Sequence, residues 1–143
     1  MEFKELKNYT QAQFEELRSL MSELSDRVNL TQIDLMFVLK DRNSHLYVIL
    51  DGEHIVGCAT MCVFYSPTGT KASVEDVVVS SACRGRHLGR QLMEYLLEQA
   101  EKLAPIEIHL TSKPARVAAN SLYLSLGFQR KETNFYYLEL DGA

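Results

Sequence analysis

The chain has 143 residues, enough for one hydrophobic core and too few for two comfortable ones. Apolar residues make up 46% and charged residues 24%, an ordinary balance for a soluble globular domain. The net charge of −4 argues against wholesale nucleic-acid binding, which usually calls for a basic domain.

Charges interrupt the N-terminus from Glu2 onward, so no signal peptide is expected. No apolar run approaches the roughly 20 residues needed to span a bilayer, so no membrane segment is expected either. The three cysteines, Cys58, Cys62 and Cys83, are odd in number and include no C-x-x-C pair. They suggest neither a disulfide framework nor a zinc site, and no metal is expected. Cys58 and Cys62 lie in an apolar stretch, where a free thiol acts as a small hydrophobe. These features fit a reducing cytoplasm.

No repeat, low-complexity run or linker divides the chain, so residues 1–143 read as a single domain. Phe3 to Leu6 fits a short opening strand. Thr10 has the character of a helix N-cap, with Gln13 as its capping-box partner. Phe14, Leu17, Leu20, Met21 and Leu24 follow at helical spacing. A second helix starts near Thr31 and carries Ile33, Met36, Phe37 and Leu39. Leu46 to Leu50 is then a strand-forming run, and Asp51-Gly52 signals a hairpin turn. Ile55 to Tyr65 predicts a long strand with Gly57 at a bulge, and Ser66 to Gly69 another turn. Ala72 to Val79 is the third strand of this meander. Its apolar end, Val77-Val78-Val79, suggests a central strand covered on both faces.

An amphipathic helix follows a polar loop, with Leu88, Leu92, Leu96, Ala100 and Leu103 on one stripe. Pro105 ends it. Ile106 to Leu110 predicts a strand, Ala115 to Leu126 a helix capped by Gly127, and Phe135 to Leu140 a closing strand. The fold class is α/β, a layered domain with a mixed sheet.

Chemistry concentrates between Val74 and Gly89. A loop that leaves a buried strand and enters a helix presents unpaired N–H groups and the positive end of the helix dipole. Here that loop also carries Arg84, Arg86 and Arg90, with Gly85 and Gly89 allowing close approach of the backbone. The combination predicts a phosphate or pyrophosphate site. It is not a Walker-type loop, because Arg90-Gln91 follows Gly89, and it is not a G-x-G-x-x-G fingerprint.

Arg84-Gly85-Arg86-His87-Leu88-Gly89 resembles the R/Q-x-x-G-x-G/A acyl-CoA loop of the GNAT family of N-acetyltransferases. His87 stands where the first glycine of that pattern usually sits. The preceding Glu75-Asp76-Val77-Val78-Val79 resembles the strand before that loop. Ala119-Asn120-Ser121-Leu122-Tyr123-Leu124-Ser125-Leu126-Gly127-Phe128 resembles the family's second signature, A-N-x-L-Y-x-x-L-G-F. The segments fall in the family's order, so the resemblance covers nearly the whole chain.

The resemblance implies a mixed, mostly antiparallel sheet flanked by helices, with acetyl-CoA held where two parallel strands splay apart. Here these would be Ala72–Val79 and Ile106–Leu110. It implies main-chain contacts from Val77 and Val79 to the pantetheine arm. It also implies an N–H near Val79 facing the thioester carbonyl, and pyrophosphate binding by the N–H groups of Arg84, Gly85, Arg86, His87, Leu88, Gly89 and Arg90. Asn120 would bond the cofactor arm. Tyr123 would be the general acid for the departing thiolate, a role suited to a phenol. Strict alternation along a strand would put Glu75 on the face of Val77 and Val79 and Asp76 on the other. That favours Glu75 as the base through water, with Asp76 and His109 as alternatives.

The acceptor would be a primary amine on a small molecule or a peptide, unidentified by the sequence. Leu17 to Arg42 would shape its side of the cleft, and Asp26, Arg27 and Asp34 are polar residues there. Glu75 to Val79 also resembles the strand of glucosamine-phosphate acetyltransferases, but Thr111-Ser112-Lys113-Pro114 departs from them. Family members often form homodimers, and an edge strand at Phe135–Leu140 would offer a surface for one. A non-catalytic acyl-CoA-binding regulatory module and a phosphate- or nucleic-acid-binding domain are the competing readings.

Overall fold

In the computed structural model, which describes residues 1–142, strand β1 (Glu2–Glu5) leads to two helices that each begin with a capping box. In α1 (Gln11–Leu24), Thr10 Oγ1 accepts from the Gln13 N–H at 3.1 Å, and Gln13 Oε1 accepts from the Thr10 N–H at 3.0 Å. In α2 (Gln32–Lys40), Thr31 and Asp34 make the same reciprocal pair. Each box satisfies two donors that a bare helix end leaves unpaired. Asp34 therefore starts a helix.

The sheet continues as β2 (Ser44–Asp51), β3 (His54–Ser66) and β4 (Gly69–Val79), and after helix α3 (Leu88–Glu101) as β5 (Glu107–His109). Its order is β1-β2-β3-β4-β5; the first three pairings are antiparallel and β4–β5 is parallel. Alternation divides the strands between two cores. Leu46, Val48, Leu50, Ile55, Cys58 and Val78 pack with Leu6, Phe14, Leu17, Leu20 and Leu35 on the side of α1 and α2. The opposite parity supplies Tyr47, Ile49, Ala59, Met61, Ala72 and Val74, all buried. The α3 stripe of Leu88, Leu92, Met93, Leu96 and Ala100 is buried as well. Each fully buried Leu, Ile, Val, Phe or Met among them contributes about 1.5–3 kcal/mol of transfer free energy. Leu103 falls outside the stripe because α3 ends at Glu101 in tight turns, with Leu103 N–H bonded to Ala100 C=O and Ala104 N–H to Glu101 C=O.

A bulge lies in β3 near Gly57: Ile49 opposes Gly57 but Leu50 opposes Ile55, leaving Val56 as the extra residue. The chain forms two compact units, Met1–Thr111 and the portion from Ser112 onward. The first holds the sheet and α1–α3; the second holds α4 (Val117–Ser125) and the C-terminal segment.

That segment corrects one expectation. Phe135 to Leu140 forms no strand, and Phe135, Tyr136, Tyr137, Leu138 and Leu140 are each more than 70% exposed. Strand propensity becomes a strand only with a ladder partner, and none pairs with it among the described residues. The run is also apolar at consecutive positions, so it defines no single buried face. Among the described residues, no helix is long and apolar enough to cross a membrane.

Candidate cofactor and active site

Strands β4 and β5 pair only from Lys71–Glu107 to Ser73–His109. Beyond that point β4 runs on through Val74–Val79 with β3 as its ladder partner, and among the described residues no strand pairs with its other edge, which is open in that sense. The Ser80 N–H bonds to the Val56 C=O at 2.8 Å, on the β3 side. Antiparallel alternation therefore turns the N–H and C=O of Val79 toward the open edge. Val77 and Val79 are half-buried and Val78 is buried.

Within β4 the ladder skips a residue. Cys58 opposes Val78 and Thr60 opposes Glu75, so Ala59 alone faces both Asp76 and Val77. Asp76 occupies the left-handed region at φ 55°, where the first residue of a bulge is often glycine. The bulge corrects the face assignment. Glu75 falls on the parity of Cys58 and Val78, not with Val79, because alternation has no place for an inserted residue.

Nor does the bulge segregate the two carboxylates. Desolvation, then the charge of Glu75, raises the Asp76 pKa, even though the residue as a whole remains exposed. Burial, then the charge of Asp76, pushes the Cys58 thiol up to about 12. Cys62 is raised chiefly by burial, against a hydrogen bond from Ser44, with smaller contributions from Glu75, Asp41 and Asp76. Ser73 Oγ donates to Glu75 Oε1 at 2.5 Å and fixes that side chain along the strand.

After Val79 a 3-10 turn, Ser81–Cys83, is capped by Ser80 Oγ and pinned by the buried Cys83. Gly85 follows at φ 82° and His87 at φ 57°, ψ 23°. His87 thus adopts a conformation that glycine would hold without strain, one in which histidine is several-fold enriched among non-glycine residues. Its side chain makes no cap to α3. The main-chain N–H groups of Gly85 through Gly89 make no hydrogen bond among the described residues. A Cβ on Gly89 would meet only Val79 Cγ2, at 3.9 Å. Among the described residues no side-chain contact outside the helix calls for glycine there; close approach by a ligand would. Five unpaired donors at a helix start fit a phosphate group.

The arginines are not equivalent. Arg84 lies 3.7 Å from Glu23, and Arg90 Nε lies 3.8 Å from Glu94. Arg86 makes no ion pair among the described residues. Glu23 was not visible as a site residue in the sequence: it sits in α1, 58 positions before Ser81, whose N–H it accepts at 3.0 Å.

The remaining histidines have local partners. His45 pairs with Glu5 at 3.1 Å and stacks on Tyr47, and His109 lies 3.8 Å from Glu107 on its own strand. His54 is exposed and bonds Glu16 at 2.6 Å, while the other oxygen of Glu16 accepts the Ile55 N–H.

In the second unit, the signature from Tyr123 to Phe128 encodes a helix stop. The Phe128 N–H bonds to the Tyr123 C=O and the Gly127 N–H to the Leu124 C=O, with Gly127 at φ 100°. This is a Schellman motif, and Tyr123 against Phe128, ring centroids 5.9 Å apart, is its hydrophobic contact. Burial raises the Tyr123 pKa against the opposing effect of Arg116. Asn120 Nδ2 donates to the Lys113 C=O at 3.0 Å and ties the approach to α4. A cavity of about 820 Å³ farther on is bounded by Arg130–Asn134 and contains none of the candidate residues.

Residues 4–128 match the Acetyltransferase (GNAT) family. The chain belongs to that family. N-acetyltransferase 8B of Rattus norvegicus is 31% identical over 94 residues, 64% of this chain and 42% of that protein. The match thus spans less than half of the relative's length. A putative acetyltransferase of Agrobacterium tumefaciens str. C58 superposes with a TM-score of 0.83 at 22% identity, covering 97% of this chain and 100% of that one. Glucosamine-6-phosphate N-acetyltransferase of Arabidopsis thaliana gives 0.78 at 18% identity, covering 96% and 99%. At such identities the likeness is one of fold, and the mixed sheet with its parallel β4–β5 pair is the GNAT arrangement.

Proposed function

We propose that the protein transfers an acetyl group from acetyl-CoA to a primary amine of a small molecule or a peptide. The observation that carries this reading is the continuity between the open edge of β4 and the run of unpaired N–H groups from Gly85 to Gly89. An extended amide-bearing chain ending in a pyrophosphate is complementary to both. GNAT family membership supports acetyl-CoA as that ligand.

Acetyl-CoA would supply an acetyl group activated as a thioester. Val77 and Val79 would receive its arm, and the segment Arg84–Arg90 its pyrophosphate. An N–H near Val79 would stabilise negative charge on the thioester oxygen. Glu75, held by Ser73, would take the proton from the attacking amine, directly or through water. Asp76, raised in pKa by burial and by Glu75, is the alternative base in the same bulge. Tyr123 would protonate the sulfur as the carbon–sulfur bond breaks; a phenol is protonated near neutrality, and burial raises its pKa further. Asn120 has committed its amide nitrogen to Lys113 and would offer its carbonyl oxygen to the cofactor arm. The same reading assigns the protein to the cytoplasm, where three unpaired cysteines are stable.

Calorimetric titration tests the cofactor. Acetyl-CoA and CoA should bind with similar affinity and ATP much more weakly. Gly89→Asp should weaken both CoA forms more than tenfold by repelling the pyrophosphate, while Gly89→Ala folds normally because its Cβ has room. Absence of CoA binding would remove the assignment of the loop and, with it, the acetyltransferase reading. CoA binding without turnover across a broad amine panel would favour a non-catalytic acyl-CoA module.

A further inference from the structure

One carboxylate outside the family's motifs reaches the anion-binding loop at its root. Glu23 lies in the last turn of α1, and its side chain is 26% exposed. A single oxygen, Oε1, accepts the Ser81 N–H at 3.0 Å and stands 3.7 Å from the Arg84 guanidinium. Ser81 opens the 3-10 turn that carries β4 into the loop, and Arg84 is the residue at which that turn ends. The contact to Ser81 is a hydrogen bond of normal length to a charged acceptor, a strong class. The contact to Arg84 is long, and the arginine side chain is 66% exposed, so a better anion can take it.

We propose that Glu23 is a positioning residue for the cofactor loop: it anchors the loop at Ser81 and holds Arg84 until the cofactor's phosphate recruits that cation. This inference rests on the reading of Arg84–Arg90 as the pyrophosphate site. Binding then replaces one anion with another at Arg84, and the Glu23–Arg84 contact is a cost that the cofactor must meet. The anchor and the restraint use the same oxygen but can be separated by substitution.

Glu23→Gln keeps a carbonyl oxygen for the Ser81 N–H and removes the charge that holds Arg84. CoA affinity should therefore rise, about two- to fivefold at low salt, the range an exposed ion pair allows. Glu23→Ala frees Arg84 too but releases Ser81, and its affinity should fall about fivefold or more below that of Glu23→Gln. In an Arg84→Gln background, Glu23→Gln should bring no gain. Amide hydrogen exchange gives a readout without cofactor: protection at Ser81 should persist in Glu23→Gln and disappear in Glu23→Ala. A Glu23→Gln affinity equal to or below that of the unsubstituted protein overturns the inference, as does an unprotected Ser81 in that protein. If the unsubstituted protein fails to bind CoA, the pyrophosphate reading falls and this inference falls with it. If CoA binds and the Glu23→Gln gain is missing, only the inference is lost.

Discussion

Gly57 carries the sharpest steric prediction. It sits in β3 beside the bulge at Val56, opposite Val79, whose main-chain groups turn to the open edge. An alanine Cβ at this position would lie 2.7 Å from Ile49 Cδ1, 3.3 Å from Ile49 Cγ1 and 3.2 Å from the Val78 carbonyl oxygen. Ile49 is fully buried, so its terminal methyl has no open space to move into. Overpacking of this kind costs about 1–3 kcal/mol. With an unfolding entropy of about 2 cal/mol/K per residue, the melting temperature of a 143-residue chain should fall by about 3–10 °C.

The opposing atom can be removed separately, because Ile49→Val deletes Cδ1. Alone, that change costs about 0.5–1.5 kcal/mol. Combined with Gly57→Ala, it should leave a total below the sum of the two by about 1 kcal/mol. The rescue is partial, since the contact with Val78 O remains. Urea titrations of the four proteins in the cycle measure the coupling, and additivity within about 0.5 kcal/mol would refute the packing account. CoA titration of the same set connects packing to function: affinity should drop in Gly57→Ala and recover in the double variant, because Gly57 backs the stretch of β4 assigned to the cofactor arm.

Tyr123→Phe should lower turnover more than tenfold while leaving CoA affinity and melting temperature nearly unchanged, since phenylalanine keeps the ring contact with Phe128; unchanged turnover would end the general-acid role. Glu75→Gln separates the two candidate bases. If Glu75 is the base, the rate collapses. If Asp76 is the base, the rate survives and the acidic limb of the pH–rate profile moves to lower pH, because one cause of the raised Asp76 pKa has gone. His54 gives a pH dependence of stability. Its pKa is raised by its hydrogen bond to Glu16 and then by the Glu16 charge. The stabilisation is complete below the unfolded value near ~6.5 and is lost as pH rises through the higher folded value. The urea midpoint should therefore fall from about pH 6 to about pH 8, and Glu16→Gln should abolish that slope.

Local rules carried the sequence reading a long way. Thr10 with Gln13, the α3 stripe from Leu88 to Ala100 and Gly127 at the end of α4 each declare themselves within a few residues, and each appears in the structure. The reading of L-Y-x-x-L-G-F as a signature also has a physical basis. Tyr123, Gly127 and Phe128 are the three positions a Schellman stop needs, so stability alone can account for part of the motif. The C-terminal run shows the opposite case, since the propensity of Phe135–Leu140 says nothing about whether a partner strand is present.

The bulge in β4 marks the limit of reading from pattern. Glu75-Asp76-Val77-Val78-Val79 has the composition of an unbroken strand, and neither Asp76 nor its neighbours advertises a left-handed residue as glycine would. The insertion is defined only by the pairing with Ala59, a contact between segments 17 residues apart or more. Yet that single residue changes the arrangement of the candidate residues. It shifts Glu75 onto the other parity, brings Asp76 into electrostatic contact with it, and leaves Val79 in register for the open edge. A regular strand would have separated the two carboxylates across the sheet. Burial, and after it the charge of Glu75, raises the Asp76 pKa, and under the proposed reaction a proton acceptor shifted toward neutrality suits attack by an amine. The place where the local pattern fails is therefore the place where the proposed base would sit.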